Sequence, residues 1–165
     1  MNRRRLLLCC VGVAALALTS TVALAQSGQT ARLYCHAVGS SQPEPLGDRE
    51  GHAISIGEIA CRVEGGLADG GLLTGTIIYE WDKANGVLLS GIGVTRKPGA
   101  TTSYQHTEGK ITLIMSDGKV TGYTGSGRGR HTMATGAAAS LNGKTYSFTF
   151  KTVGPGQYVV DVTND

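Results

Sequence analysis

The chain has 165 residues, with 25 glycines, four prolines and only 16% charged residues, and its formal net charge is +3. Arg3, Arg4 and Arg5 supply that charge, because the other 12 lysines and arginines are balanced by 12 acidic residues. The composition therefore excludes a strongly basic nucleic-acid-binding protein.

Residues 1–25 have the organisation of a secretory signal peptide. The three arginines precede an apolar segment, Leu6–Leu18, and the chain then reaches a small-x-small site that ends at Ala25, before Gln26. The apolar segment is shorter than the roughly 20 residues that a transmembrane helix needs. We predict export by the general or the twin-arginine route, with no stable membrane anchor. The mature domain, residues 26–165, is then periplasmic or secreted from a bacterium.

Alternating apolar residues predict the first two strands, Ala31–Val38 and Ala53–Val63. A loop with two prolines and several charges separates them. In the second strand Ile54 and Ile56 are expected on the inner face. A bulge near Gly57 would return the later apolar residues to that face.

Cys35 and Cys61 are the only cysteines after the predicted leader. An exported protein matures in an oxidising compartment, so we expect a disulfide between them. It would join the first strand to the second.

The rest of the chain continues as short strands and turns, with 133–141 as a candidate for one short helix. Residues 101–116 form either one bent strand or two strands hinged at Gly109. Asp117-Gly118 and Asn142-Gly143 are two-residue hairpin signals. The other predicted strands are Leu72–Trp81, Val87–Thr95 and Tyr158–Val162.

The segment Gly118–Lys151 alternates glycine with polar residues in its first half and carries three aromatic residues at strand spacing in its second half. We predict two or three antiparallel strands here. The glycines Gly125, Gly127 and Gly129 are expected on one side, with Arg128 on the other.

Eight to ten short strands with many glycines indicate an all-β fold. We predict a single antiparallel β-barrel of about eight strands, with a β-sandwich as the alternative. Glycines inside strands favour the barrel, because they relieve crowding where a small barrel bends.

The sequence GKVTGYTGSGRGRHTMATGAAASLNGKTYSF resembles the glycine- and threonine-punctuated hairpins of allene oxide cyclase-like and dirigent-type β-barrels. The resemblance covers about a third of the mature chain. It implies an antiparallel barrel with an apolar cavity and, in some members, isomerase or coupling-guidance activity. No catalytic motif of these families is present to be carried over.

Known catalytic and cofactor motifs do not fit. Arg130 stands where a dinucleotide loop needs its third glycine, and no Walker A sequence occurs. A nucleophile elbow, G-x-S-x-G, needs glycine two residues before and after its serine, where Ser126 has Thr124 and Arg128. The four histidines have no metal-ligand spacing. We therefore predict no cofactor, no metal and no identifiable catalytic residue.

One group of residues suggests a pocket. Tyr79 and Trp81 share one strand face, and Tyr104 and His106 share another. If barrel closure brings them near Arg128, aromatic surface with one cation would form a small-ligand site. Against this, aromatic residues in a barrel more often form ordinary core.

These observations favour a non-enzymatic exported protein that binds a small apolar or amphipathic ligand or a protein partner. The first alternative is a cofactor-independent isomerase or cyclase that acts in an apolar cavity. The second is a structural envelope-associated protein that uses an exposed strand edge.

Overall fold

The computed structural model describes residues 29–39 and 42–165, and this part of the chain is almost entirely β-strand. The predicted leader and its cleavage site at Ala25–Gln26 lie outside the described residues. The strands are β1 (Thr30–Val38), β2 (Glu44–Pro45), β3 (His52–Glu64), β4 (Leu72–Asp82), β5 (Asn85–Lys97), β6 (Ala100–Ser116), β7 (Lys119–Gly136), β8 (Thr145–Gly154) and β9 (Gln157–Asn164).

Eight of these strands form a closed antiparallel barrel, as predicted. The strands β3 to β9 pair in chain order, and β1 pairs with both β9 and β3. This double pairing closes the sheet and excludes the β-sandwich. The additional short strand β2 pairs with the start of β3, where Glu44 faces Ile54.

The two ends of the barrel differ. At one end, Ala138 and Leu141 pack with the alanines of β6 and β7, Ala100 and Ala134, and with Leu67. Ala138 is fully buried. The other end carries the connection between β1 and β3 and the tight turns that follow β4, β6 and β8. We call these the plugged end and the turn end.

The predicted disulfide is present between Cys35 and Cys61. The two residues face each other across β1 and β3, with Cα atoms 4.0 Å apart. Both side chains are buried in the main core cluster. The bond therefore joins the strand that closes the barrel to its neighbour, and it fits an oxidising compartment.

The predicted inner face of β3 is wrong. The strand keeps an unbroken register with β4, so there is no bulge near Gly57. Ala53 and Ser55 are buried, whereas the side chain of Ile56 points outward and is 58% exposed. The isoleucines suggested a core face, but alternation along the unbroken strand from the buried Cys61 and Val63 places Ala53 and Ser55 inward.

Residues 100–116 form one long strand, β6, whose register with β7 shifts around Thr107. The turn at Asp117-Gly118 is confirmed, with φ of 50° and 75°. The hairpin prediction at Asn142-Gly143 is wrong, because β7 ends at Gly136 and β8 begins only at Thr145. The predicted short helix is reduced to one 3₁₀ turn, Ala139–Leu141.

Candidate functional site

Part of the inner wall of the barrel is formed by glycines, and aromatic rings from the adjacent strand cover them. A Cβ atom added at Gly127 would lie 2.6 Å from the Phe148 ring, well inside van der Waals contact. The rings can therefore lie against the wall only because these positions lack side chains. Along β7 and β8 the register pairs are Gly125 with Phe150, Gly127 with Phe148, and Gly129 with Tyr146.

Tyr104 and His106 of β6 likewise cover glycines of the neighbouring strand, β5. The Tyr104 ring covers Gly93, its register partner, and its hydroxyl group also reaches Gly75 of β4. His106 covers Gly91. Because the rings lie along the wall, they leave the centre of the barrel open.

The open centre is a cavity of about 530 Å³, within the range of about 300–1,000 Å³ that is typical of small-ligand sites. Lining residues at the plugged end, such as Thr95, Thr102 and Leu141, are buried. Lining residues at the turn end, such as Thr121 and Gly156, are exposed. The cavity therefore opens to solvent at the turn end.

A buried polar pair lies on the cavity wall. The Tyr146 hydroxyl group and His106 Nδ1 are hydrogen bonded at 3.0 Å, and the His106 ring packs on Phe148 with a centroid distance of 4.5 Å. Burial lowers the pKa of His106 to about 4. Burial, with a smaller effect of Tyr104, raises the pKa of Tyr146. At neutral pH both groups are uncharged, so the pair can pass a proton or hydrogen-bond a polar group.

His131 lies beyond this pair, towards the plugged end. Asn164 Nδ2 donates to the carbonyl oxygen of Gln29 at 3.1 Å, which leaves Asn164 Oδ1 facing His131 Nε2 at 2.8 Å. An amide oxygen can only accept, so Nε2 carries the proton. His131 Nδ1 is then a buried acceptor without a partner in the described part of the chain. Burial lowers the pKa of His131.

A different histidine fixes the loop at the turn end. His52 is hydrogen bonded to Asp48 of the loop at 2.6 Å and to Glu80 of β4 at 2.7 Å. The bond to Glu80, followed by the bond to Asp48, raises the pKa of His52. The His52 side chain therefore links the loop to the barrel rim, and its two carboxylate partners favour its protonated form.

The structure brings four of the five predicted pocket residues to the cavity: Tyr79, Trp81, Tyr104 and His106. The Trp81 indole donates to Ser55 Oγ at 2.8 Å. Arg128 does not join them. It lies on the outer face, 3.6 Å from Asp165, because Gly127 and Gly129 occupy the inward positions on either side of it.

Sequence reasoning missed Tyr146, Tyr158 and His131, which also line the cavity. The alternation of Tyr146 with Phe148 was visible, but its partner His106 is 40 residues away. The glycines at every second position of β7 were the available signal, because a glycine that faces inward leaves room for a large ring from the next strand.

Within residues 29–39 and 42–165, no group of three or more potential ligand side chains could hold a metal ion. The described chain also contains no helix that is long and apolar enough to cross a membrane. Comparison with protein-family models, with curated proteins and with solved structures finds no match to this chain.

Proposed function

We propose that this protein is an exported, non-enzymatic β-barrel that binds a small apolar or amphipathic ligand in its interior, in the periplasm or outside the cell. The observation that carries the proposal is the cavity of about 530 Å³, lined by aromatic and aliphatic side chains and open at the turn end. Burial of apolar ligand surface against such a lining is favourable. The Cys35–Cys61 disulfide supports the oxidising compartment.

The arrangement of the wall supports a ligand rather than a filled core. Large rings could have met in the centre, but His106 lies over Gly91 and Phe148 over Gly127. The interior surface is thus largely apolar, and its rings are packed against the wall. A preformed site of this kind loses little conformational entropy on binding.

Native mass spectrometry of protein purified from its own host tests the proposal directly, since a bound ligand adds its mass to the chain. The second test is fluorescence uptake of N-phenyl-1-naphthylamine, a neutral apolar dye. We expect saturable uptake at about one dye per barrel. No co-purifying molecule together with no dye uptake would refute the proposal, and a co-purifying protein would support the partner alternative instead.

A matched pair of variants locates the dye. Ile77 lines the cavity, whereas its neighbour Ile78 does not. Ile77→Trp places a large ring in the open space and should weaken uptake at least fivefold, while Ile78→Trp should leave it within twofold. Thermal unfolding of both variants verifies that they are folded. Equal uptake by the two variants would place the dye elsewhere on the protein.

The hydrogen-bonded pair of His106 and Tyr146 favours one alternative, a cofactor-independent isomerase or cyclase in the same cavity. A neutral imidazole beside a phenol can move a proton within a bound molecule. The resemblance to allene oxide cyclase-like barrels implies the same kind of activity. Isomerisation leaves the mass unchanged, so molecules recovered from the wild type and from His106→Phe are compared by chromatography. Identical molecules would favour pure binding, and different isomers would favour the enzyme.

A structural role through an exposed strand edge receives less support. Such a role needs a strand that is open on one side, but β1 pairs with both β9 and β3. In the described chain, the short strand β2 pairs on one side only, and it spans two residues, Glu44–Pro45.

A further inference from the structure

Three tyrosines that line the cavity have hydroxyl groups with no hydrogen-bond partner within the described part of the chain. Tyr79, Tyr104 and Tyr158 line the cavity from β4, β6 and β9. In the described part of the chain, the one buried side-chain polar atom without a partner is His131 Nδ1. The three hydroxyl oxygens are not among these buried atoms, so each keeps some accessible surface and is available to donate to a ligand.

The three phenols keep their protons. Burial raises the pKa of Tyr158, and Tyr104 and Tyr79 raise it further. Burial alone raises the pKa of Tyr79 to about 12 and raises that of Tyr104 further. At physiological pH each group thus keeps its proton and can donate it in a hydrogen bond.

The cavity has no charge that could neutralise an ionic ligand. Among the described lining residues there is no lysine, arginine or aspartate, and the one glutamate, Glu58, is exposed at the barrel wall. His106 and His131 are kept uncharged by burial. Transfer of an ionised ligand into such surroundings is strongly unfavourable, because no counter-charge replaces its hydration.

Resting on the proposed ligand-binding function, we infer that the ligand is uncharged and carries a carbonyl or similar acceptor oxygen. The ligand presents its ring or chain to the aromatic wall and its oxygen to the hydroxyl groups of Tyr79, Tyr104 and Tyr158. A carbonyl oxygen has two lone pairs and no proton, so it can accept from a phenol that keeps its proton.

Three naphthalenes that differ in one substituent test the inference by displacement of N-phenyl-1-naphthylamine. They are 2-acetylnaphthalene, which has the carbonyl; 2-ethylnaphthalene, which has a methylene in its place; and 2-naphthoate, which is an anion of similar size. We expect 2-acetylnaphthalene to bind at least as tightly as the more apolar 2-ethylnaphthalene, and 2-naphthoate to bind at least tenfold more weakly than either.

Removal of single hydroxyl groups identifies the donors. Tyr79→Phe, Tyr104→Phe and Tyr158→Phe should each be tested, because a hydrogen bond contributes a net factor of roughly 2 to 12. At least one of them should weaken the binding of 2-acetylnaphthalene by that factor, while the affinity for 2-ethylnaphthalene stays within twofold of the wild type. Tyr34→Phe is the control, since Tyr34 is 40% exposed on the outer face. Each variant loses one oxygen only, and thermal unfolding verifies its fold.

The outcomes separate the two proposals. If the wild type takes up the dye but all three phenylalanine variants bind 2-acetylnaphthalene unchanged, the inference is refuted and the binding function stands. Binding of 2-naphthoate as tight as that of the neutral compounds also refutes it. If the wild type takes up no dye and no naphthalene, the binding function fails and the inference falls with it.

Discussion

Replacement of Gly91 by alanine tests whether the interior rings depend on the bare backbone of the wall. The three atoms nearest to an added Cβ all belong to His106: Cδ2, which it would overlap, Cγ at 3.0 Å and Cβ at 3.1 Å. Carbon atoms pack at about 3.5–4.0 Å. The imidazole must therefore leave its place, and its hydrogen bond with Tyr146 is lost.

The expected cost follows from three contributions. Overpacking of a buried site costs about 1–3 kcal/mol. The lost hydrogen bond adds roughly 0.5–1.5 kcal/mol, and the reduced entropy of the unfolded chain returns about 0.4–1 kcal/mol. We expect Gly91→Ala to lower the free energy of unfolding by about 2 kcal/mol.

Urea unfolding of a double-mutant cycle measures this cost. In the background of His106→Ala the ring is absent and only the Cβ atom of residue 106, at 3.1 Å, remains close to the added methyl group, so Gly91→Ala should cost at least about 1 kcal/mol less than in the wild type. Gly154→Ala is the matched control, because the nearest atom to its Cβ is the flexible end of Gln157 at 3.5 Å. Additive effects in the cycle, or a Gly91→Ala no worse than the control, would refute the reasoning.

Three further predictions concern pH, the disulfide and the outer face. The folded-state pKa of His106, about 4, lies below its unfolded value, so this residue's contribution to stability is lost as pH falls from about 6.5 towards 4. Between pH 7 and 5 the wild type should lose about 2 kcal/mol more of unfolding free energy than His106→Phe; the opposite sign would contradict the assigned burial. Removal of the bond between Cys35 and Cys61, 26 residues apart, by double replacement with alanine should cost on the order of 3 kcal/mol in urea unfolding, and mature oxidised protein should weigh two hydrogens less than the reduced form. Arg128→Ala removes an exposed ion pair with Asp165 and should change the stability by less than about 1 kcal/mol with dye uptake unaltered, whereas a loss of uptake would place Arg128 in the site after all.

Strand positions could be predicted because their signals are local. Alternation of apolar and polar residues located β1. An Asp-Gly pair, whose residues tolerate positive φ, located the turn at Asp117-Gly118. Barrel closure could only be favoured, because it depends on the pairing of β1 with β9, more than 120 residues away in sequence. The choice between a barrel and a sandwich therefore requires the three-dimensional structure.

The two local errors have one physical cause, which is that tertiary packing overrides a local pattern. Ile54 and Ile56 match a core face, but the pairing of Cys61 with Cys35 and the unbroken strand place Ala53 and Ser55 inward in their stead. Asn142-Gly143 matches a hairpin, but the longer connection gives the register that sets Tyr146 over Gly129. A hairpin turn at Asn142-Gly143 would have moved the rings of β8 away from their glycines.

The candidate site was half predictable for the same reason. Tyr79, Trp81, Tyr104 and His106 alternate within single strands, so their shared faces could be seen in the sequence. Pairing across strands could not, and the contact between His106 and Tyr146 depends on the register of β6, β7 and β8 together. The prediction that Arg128 lies near the pocket was wrong, because alternation separates the two faces of a strand but does not identify the inner one.

The size of the cavity bears on whether it can stand empty. Cavities left by core truncation cost about 24 cal/mol per Å³, so an empty space of about 530 Å³ would cost on the order of 10 kcal/mol. That equals the entire stability of a typical domain, about 5–15 kcal/mol. The interior must therefore be occupied by solvent or by a ligand, and the open turn end allows either to enter. Water gains little against aromatic walls with few polar groups, and the proposed ligand, apolar with an oxygen that accepts from the tyrosine hydroxyl groups, would replace that water.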